Sequence, residues 1–262
     1  MLRPVLFALL LLAGFAALPA AEPVKALFIT GGGYHDYHKL TPLLTAGMAK
    51  YGNIACTVKM CEKPEELVEI MKDPKLGDGY DVIVYDMCYA DIVDDEMVAN
   101  AKRVTTEGKP TVMIHCAMHC FWKGRKDSAW AECCGLYTNY HEGFASFAVT
   151  PREPRSPIVK FWPASWTTAG DELYHNVTFP FPGTDSSVGL LSAKDPKGND
   201  QVVAWTHAFG KGKVFGTTLG HDTKSAGTEE YVHLLANGLL WTVGKLGEDG
   251  APTAGYAGSA AK

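Results

Sequence analysis

Between positions 24 and 30 the chain reads VKALFIT, an apolar run broken by one lysine. Near-continuous runs of this length predict a strand covered on both faces. The period then changes. Leu40, Leu43, Leu44 and Met48 recur at three- and four-residue spacing, which predicts a helix over 40–51. Positions 54–60 predict a second strand. Positions 64–71 predict a helix with proline in its first turn and glutamates after it, matching the positive amino-terminal end of a helix. A third strand follows at 81–85. A helix at 94–106 carries Met97, Val98, Ala101 and Val104 on one face, and a fourth strand follows at 109–114. This alternation implies a parallel, doubly wound α/β sheet.

The second half is less regular. Strands are predicted at 144–149, 173–178, 188–192, 201–207 and 213–219, with a hairpin turn at Gly210-Lys211-Gly212. The proline-rich stretch 151–163 predicts a surface excursion. Tyr231, Leu234, Leu235, Leu239 and Trp241 mark a final helix over 229–243. Positions 247–262, rich in Gly, Ala and Ser, predict a disordered tail. At the other end, Arg3, an apolar segment over 5–17 and Leu18-Pro19-Ala20-Ala21 predict a cleaved leader over 1–21. The apolar segment is too short for a membrane span, so no stable span is expected after cleavage. The expected location is the periplasm or the cell exterior, with one domain over 22–246.

Composition narrows the function classes. A hydrophobic fraction of 47% supports a sizeable core, and the net charge of −5 with no basic patch argues against a nucleic-acid partner. Seven cysteines include no CxxC pair, which argues against a zinc ribbon. Cys56 and Cys61 could bridge after export, and Cys133-Cys134 is expected to be buried at a helix end.

The candidate chemistry gathers where predicted strands end. Gly31-Gly32-Gly33 precedes Tyr34, His35, Tyr37 and His38; TVMI runs into His115, Cys116 and His119; VFGTTL runs into His221 and Asp222. Loops leaving the carboxyl ends of parallel strands share one edge, where ligands bind. The glycine run lacks GxGxxG spacing, so no nucleotide cofactor is expected. His115 stands at a strand-to-helix junction, where a tight elbow would expose it as a metal ligand or general base. Cys116 is the rival nucleophile. Asp171 and Glu172 offer carboxylates that could move protons or orient imidazoles. His141 follows GLYTNY. Strand alternation sends Trp205 and His207 to one face.

The segments GGGYHDYHK, GKPTVMIHCAMH, WAECCGLYTNYH, DELYH, VVAWTHAFGKGKVFGTTLGHD and LLANGLLWTVG, in this order over 24–244, resemble the ThuA-like (trehalose utilisation) family. The resemblance implies a flavodoxin-like, class I glutamine amidotransferase-like three-layer sandwich with a mostly parallel central sheet and a β-rich C-terminal elaboration. In that wider group the elbow carries a catalytic cysteine. His115 takes its place here, and His119 falls near the glutamine that usually follows, so amidotransferase activity is not expected. The resemblance also implies disaccharide metabolism and keto-sugar substrates. Glu142-Gly143 replaces the proline that family members often carry after the histidine at His141.

These readings combine into an exported enzyme that isomerises, eliminates from or hydrolyses a sugar or keto-sugar. A divalent metal, zinc by ligand type, is expected on His35, His38, His115 and His221. His115, Glu172, Asp171 and His207 are the expected catalytic groups. Tyr34, Tyr37, His119, His141, Trp205 and Asp222 are the expected substrate contacts. The partner is a small carbohydrate, and homo-oligomerisation is left open. The alternatives are a non-catalytic sugar-binding module and a cysteine hydrolase using Cys116.

Overall fold

Strand β1 (Val24–Gly32) sends alternate side chains into two separate cores. Ala26 and Phe28 enter one, with Leu40, Leu44 and Met48 of helix α1 (Tyr37–Tyr51). Leu27 and Ile29 enter the other. The chain then alternates through β2 (Ile54–Cys61), α2 (Pro64–Lys72), β3 (Val82–Cys88), α3 (Asp95–Thr106) and β4 (Thr111–Ile114). A one-turn 3-10 helix (His115–His119) leads toward α4 (Ala129–Cys134). Next come β5 (Ala148–Pro151), β6 (Trp166–Thr167), β7 (Val188–Lys194), β8 (Asp200–Phe209), β9 (Gly212–Thr217), α5 (Thr223–Ala226) and α6 (Glu229–Thr242). Residues 21–121, 129–182 and 186–261 are described in this computed structural model, so the expected leader lies outside them except for residue 21.

Among the described residues, one nine-stranded sheet runs in the order β2-β1-β3-β4-β9-β8-β7-β5-β6. The first five strands are parallel, in the order of a doubly wound flavodoxin-like sheet. The remaining four pairings, β9-β8, β8-β7, β7-β5 and β5-β6, are antiparallel. The expectation of a mostly parallel sheet is therefore corrected: half of the pairings run the other way, because hairpin connections replace helical crossovers after β4. Helices α1 and α6 cover one face, and α2, α3 and α4 the other. No described helix is long and apolar enough to cross a membrane.

Other expectations need correction. Residues 173–178 form no strand; their backbone pairs with 137–145 through isolated bridges, at His141–Tyr174 and Tyr137–Thr178, and their side chains add contacts such as His175 Nε2 to Glu142 Oε1 at 2.7 Å. The excursion 151–163 is anchored, since Ile158, Val159 and Trp162 are buried in the core. The tail is not free of structure. Asn53 N–H donates to the Tyr256 carbonyl at 2.8 Å, and Gly52 bridges Ala257. Tyr256 also packs on the core edge, an apolar anchor that a bare Gly/Ala/Ser composition does not reveal. All seven cysteines are free, so Cys56 and Cys61 do not bridge. Cys133 and Cys134 are buried at the end of α4, as expected.

On α6, the His233 ring stacks between Tyr51 and Phe161, with centroids 4.2 and 3.7 Å away. Burial pushes its pKa down to about 4, although Glu229 pulls the other way. The unfolded chain therefore takes up a proton below about pH 6.5 that the folded one refuses. Stability is expected to fall as pH drops from about 6.5 to 4, by about 1 kcal/mol after allowance for the ring's partial exposure. Urea unfolding of a His233→Phe variant should show a flatter profile across that window. An unchanged slope would refute this assignment.

Candidate functional site

Two glycines deliver the first histidine. A Cβ on Gly31 would lie 2.0 Å from the Cys61 carbonyl oxygen, and one on Gly32 would lie 2.4 Å from that of Cys88. Both have left-handed φ, at +132° and +115°. Only glycine lets β1 end tightly between its neighbours. The chain then turns at His35 before Asp36 caps α1 by accepting from Lys39 N–H. His115 follows β4 with φ 47°, an uncommon conformation for a non-glycine residue. The elbow inferred from the chain pattern therefore exists, and the strained residue is His115 rather than Cys116. His221 follows β9, on a turn held by Asp171. That buried carboxylate accepts from Gly220 N–H at 2.8 Å, His221 N–H at 3.2 Å and the Ser225 hydroxyl.

These loops bring three imidazoles together. The His35 ring lies 4.9 Å from His115 and 4.8 Å from His221, centroid to centroid. One ligand atom from each lies within 4.8 Å of the others. Glu172 enters beside them from the segment between β6 and β7. Its Oε2 is 3.1 Å from His221 Nδ1, 3.5 Å from His115 Nε2 and 3.6 Å from His141 Nε2.

Backbone carbonyls decide what these nitrogens carry. His115 Nδ1 lies 2.7 Å from the Thr218 carbonyl, and His141 Nδ1 lies 2.8 Å from that of Glu142. A carbonyl only accepts, so each Nδ1 holds the hydrogen. In a neutral ring, each Nε2 then points a lone pair at the Glu172 carboxylate. Lone pairs converging on an anion need a shared cation, either a proton or a metal. The proton solution is visible in the electrostatics. Burial alone would lower the pKa of His115, but the Glu172 hydrogen bond and the nearby Cys116 and Asp171 charges raise it to about 9. Burial would likewise raise Glu172, yet hydrogen bonds from His115 and His221 hold it well below the usual carboxylate range.

The metal solution also fits the donors. Ligands around a tetrahedral zinc stand about 3.4 Å apart, close to the Glu172–imidazole separations. His35 has both nitrogens buried without a partner. Buried polar atoms are seldom left so. A cavity of about 210 Å³ opens onto these rings, lined by Tyr34, His35, Asp36, His221, Asp222 and Thr223. A larger cavity of about 690 Å³ lies at the opposite, amino-terminal edge beside Val24, Lys25, Asp81 and Pro110, away from the histidine cluster.

The remaining expected residues divide. His119 stacks on Tyr174 at 4.2 Å and faces Thr138 Oγ1 at 3.3 Å. Burial lowers its pKa. Tyr37 is buried against His35, whereas Tyr34 is exposed at the cavity mouth. Asp222 caps α5 through Lys224 and Ser225 N–H groups. His38 is corrected: it is exposed and pairs with Glu62 at 3.0 Å, because it lies on the outer side of the first turn of α1. His207 is also corrected. It bonds Ser187 Oγ and the Glu132 carbonyl, both at 3.1 Å. Strand β8 runs antiparallel to β9, so its carboxyl end points to the far edge of the sheet. Trp205 shares that face, as alternation requires, but is a core residue donating to the Cys134 carbonyl at 2.8 Å.

Three neighbours were missed. Tyr174 Oη lies 3.4 Å from both His115 Nε2 and Cys116 Sγ. Cys88 neighbours Cys116 and His35. Asp86 is buried near His115 and Cys116, and burial pushes its pKa up to about 7, partly offset by His115. A carboxylate inside the apolar run VIVYDMC was the available signal. Cys116 is held well below the ordinary thiol range by Cys88, against its own burial and with help from His119 and His35.

Comparison with known proteins supports the fold. A ThuA-like protein from Parabacteroides merdae superposes with a TM-score of 0.69 at 21% identity, over 90% of this chain and 97% of that one. One from Bacteroides uniformis gives 0.67 at 16% identity, over 89% and 97%. A β-galactosidase from Bacillus circulans matches 87% of this chain at TM-score 0.56 and 11% identity, using 32% of its own length. No functionally curated protein matches the sequence. The family model described as ThuA, trehalose utilisation, matches residues 25–242, and the chain belongs to that family.

Proposed function

We propose that this protein is an exported enzyme that processes a sugar or keto-sugar by metal-assisted isomerisation, elimination or hydrolysis. The observation that carries the reading is the convergence of three imidazole nitrogens on one Glu172 oxygen within 3.6 Å. The family's trehalose-utilisation description supports a carbohydrate substrate. Export is supported by the leader pattern over 1–21. The cavity is smaller than the roughly 300–1,000 Å³ typical of sites for drug-sized ligands, which favours a single sugar unit beside the rings.

His35, His115 and His221 would hold a zinc-type ion, which supplies polarisation of a carbonyl or acidification of water. Thr218 orients the His115 ring, so its Nε2 stays available as a donor. Glu172 is ionised in this setting and stands where it can take a proton from a carbon beside a carbonyl, or from water. His141, partly exposed and 3.6 Å from Glu172, can pass that proton to solvent.

The test is deuterium incorporation or product formation from a panel of oxidised monosaccharides, followed by NMR, in zinc-loaded wild type and Glu172→Gln. Turnover in wild type with loss of about a hundredfold or more in the variant is expected. Sugar binding without turnover would favour the non-catalytic module. Activity in metal-free protein that disappears on alkylation of Cys116 would favour the cysteine hydrolase.

A further inference from the structure

Beneath the imidazole–carboxylate group lies a second set of donors. Cys88 ends β3, and Cys116 follows the elbow after β4. The parallel register, with Tyr85 opposite Met113, sets these two cysteines side by side when extended by three residues. One donor atom each from His35, Cys88 and Cys116 lies within 4.8 Å of the others. Both sulfurs belong to buried, unbridged residues. Around them, Tyr37 Oη, Asp86 Oδ2 and both His35 nitrogens are buried without a hydrogen-bond partner. Tyr37 packs with the two cysteines and screens them from water. Two thiols and an imidazole are a donor set suited to zinc and other thiolate-preferring cations, and differ from the nitrogen–oxygen set above.

We propose that His35, Cys88 and Cys116 bind a second zinc-type cation, with His35 standing between this position and the imidazole–carboxylate position. One ring nitrogen of His35 serves each cation when both are bound. Two thiol protons and the His35 ring proton leave to solvent, so the sulfurs bind as thiolates and the ring as imidazolate. The sulfur position thereby fixes a ring that makes no hydrogen bond within the described protein. The inference rests on the proposed function only for the first of the two metal positions, and needs no sugar chemistry.

The test is a cobalt(II) titration of the reduced, tag-free chain, read by sulfur-to-cobalt charge-transfer absorption and by stoichiometry. Two equivalents are expected, one of them carrying the sulfur band. The double variant Cys88→Ser/Cys116→Ser should lose the band and one equivalent while keeping the other. His115→Ala/His221→Ala should keep the band and lose the other equivalent. Circular dichroism checks folding. If the double serine variant does not fold, Cys88→Ser alone replaces it, with roughly tenfold or more weakening of the band-bearing position expected. A single equivalent without the band overturns the sulfur position and leaves the proposed function standing. A single equivalent with the band overturns the two-position arrangement. A band that survives in the serine variant overturns the ligand assignment, and no bound metal at all overturns both readings.

Discussion

A His115→Ala variant is expected to lose zinc affinity and sugar turnover together, each by about a hundredfold or more. The expectation rests on how little freedom this ring has. Its Nδ1–H is committed to the Thr218 carbonyl, so Nε2 is the only nitrogen it can offer to the site. That nitrogen faces Glu172, and the ring touches both His35 and His221. The backbone at φ 47° carries the ring into the cluster, against His35 and His221. Alanine itself is disfavoured in that conformation, so His115→Asn is the companion variant, since asparagine tolerates left-handed backbone. Calorimetric zinc titration and NMR turnover measured on both would decide the matter. Unchanged affinity and rate in the asparagine variant, with its fold intact, would remove His115 from the chemistry.

The largest effect on stability is expected at Asp171. This side chain is fully buried and gathers the Gly220 and His221 N–H groups, the Ser225 hydroxyl and the Glu172 N–H group. Removing it leaves several buried donors without an acceptor, each costing about 1–3 kcal/mol. Asp171→Ala should therefore destabilise the protein by about 3 kcal/mol or more, which lowers Tm by roughly 10 °C for a domain of this size. Metal affinity should fall as well, because the same hydrogen bonds place His221. Differential scanning calorimetry of Asp171→Ala beside Asp171→Asn separates lost charge from lost acceptor atoms. A Tm within 2 °C of wild type, the shift expected from less than about 1 kcal/mol, would show that the turn holds itself.

The parallel half of the fold was legible because period and burial agree there. VKALFIT and TVMI are covered on both faces, and Met97, Val98, Ala101 and Val104 fall on one buried stripe. The elbow at His115 was legible for the same reason, since a short apolar strand runs directly into chemistry-bearing residues. The fold of the segment between β6 and β7 that supplies Glu172 and Tyr174 was not, although Glu172 itself was singled out from the sequence. The segment's backbone pairs with 137–145 only through isolated bridges, which impose no repeat on the sequence. His207 was misplaced because a histidine at a strand end was read without its direction. The turn at Gly210-Lys211-Gly212 already implied that β8 runs opposite to β9. His38 illustrates a different limit: it lies inside α1, whereas His35 precedes the cap, so the two histidines do not share a helix face.

The described ends of the chain meet at one corner. Asn53 Nδ2 donates to the carbonyls of Ala21 and Gly255, at 2.9 and 3.1 Å. That corner lies where β1 and β2 begin, and the histidines lie where β1 ends, a strand's length of about 25 Å away. A fluorophore, a resin or a surface attached through either end would thus leave the histidine rim facing solution, so immobilised protein should keep its full metal-binding capacity.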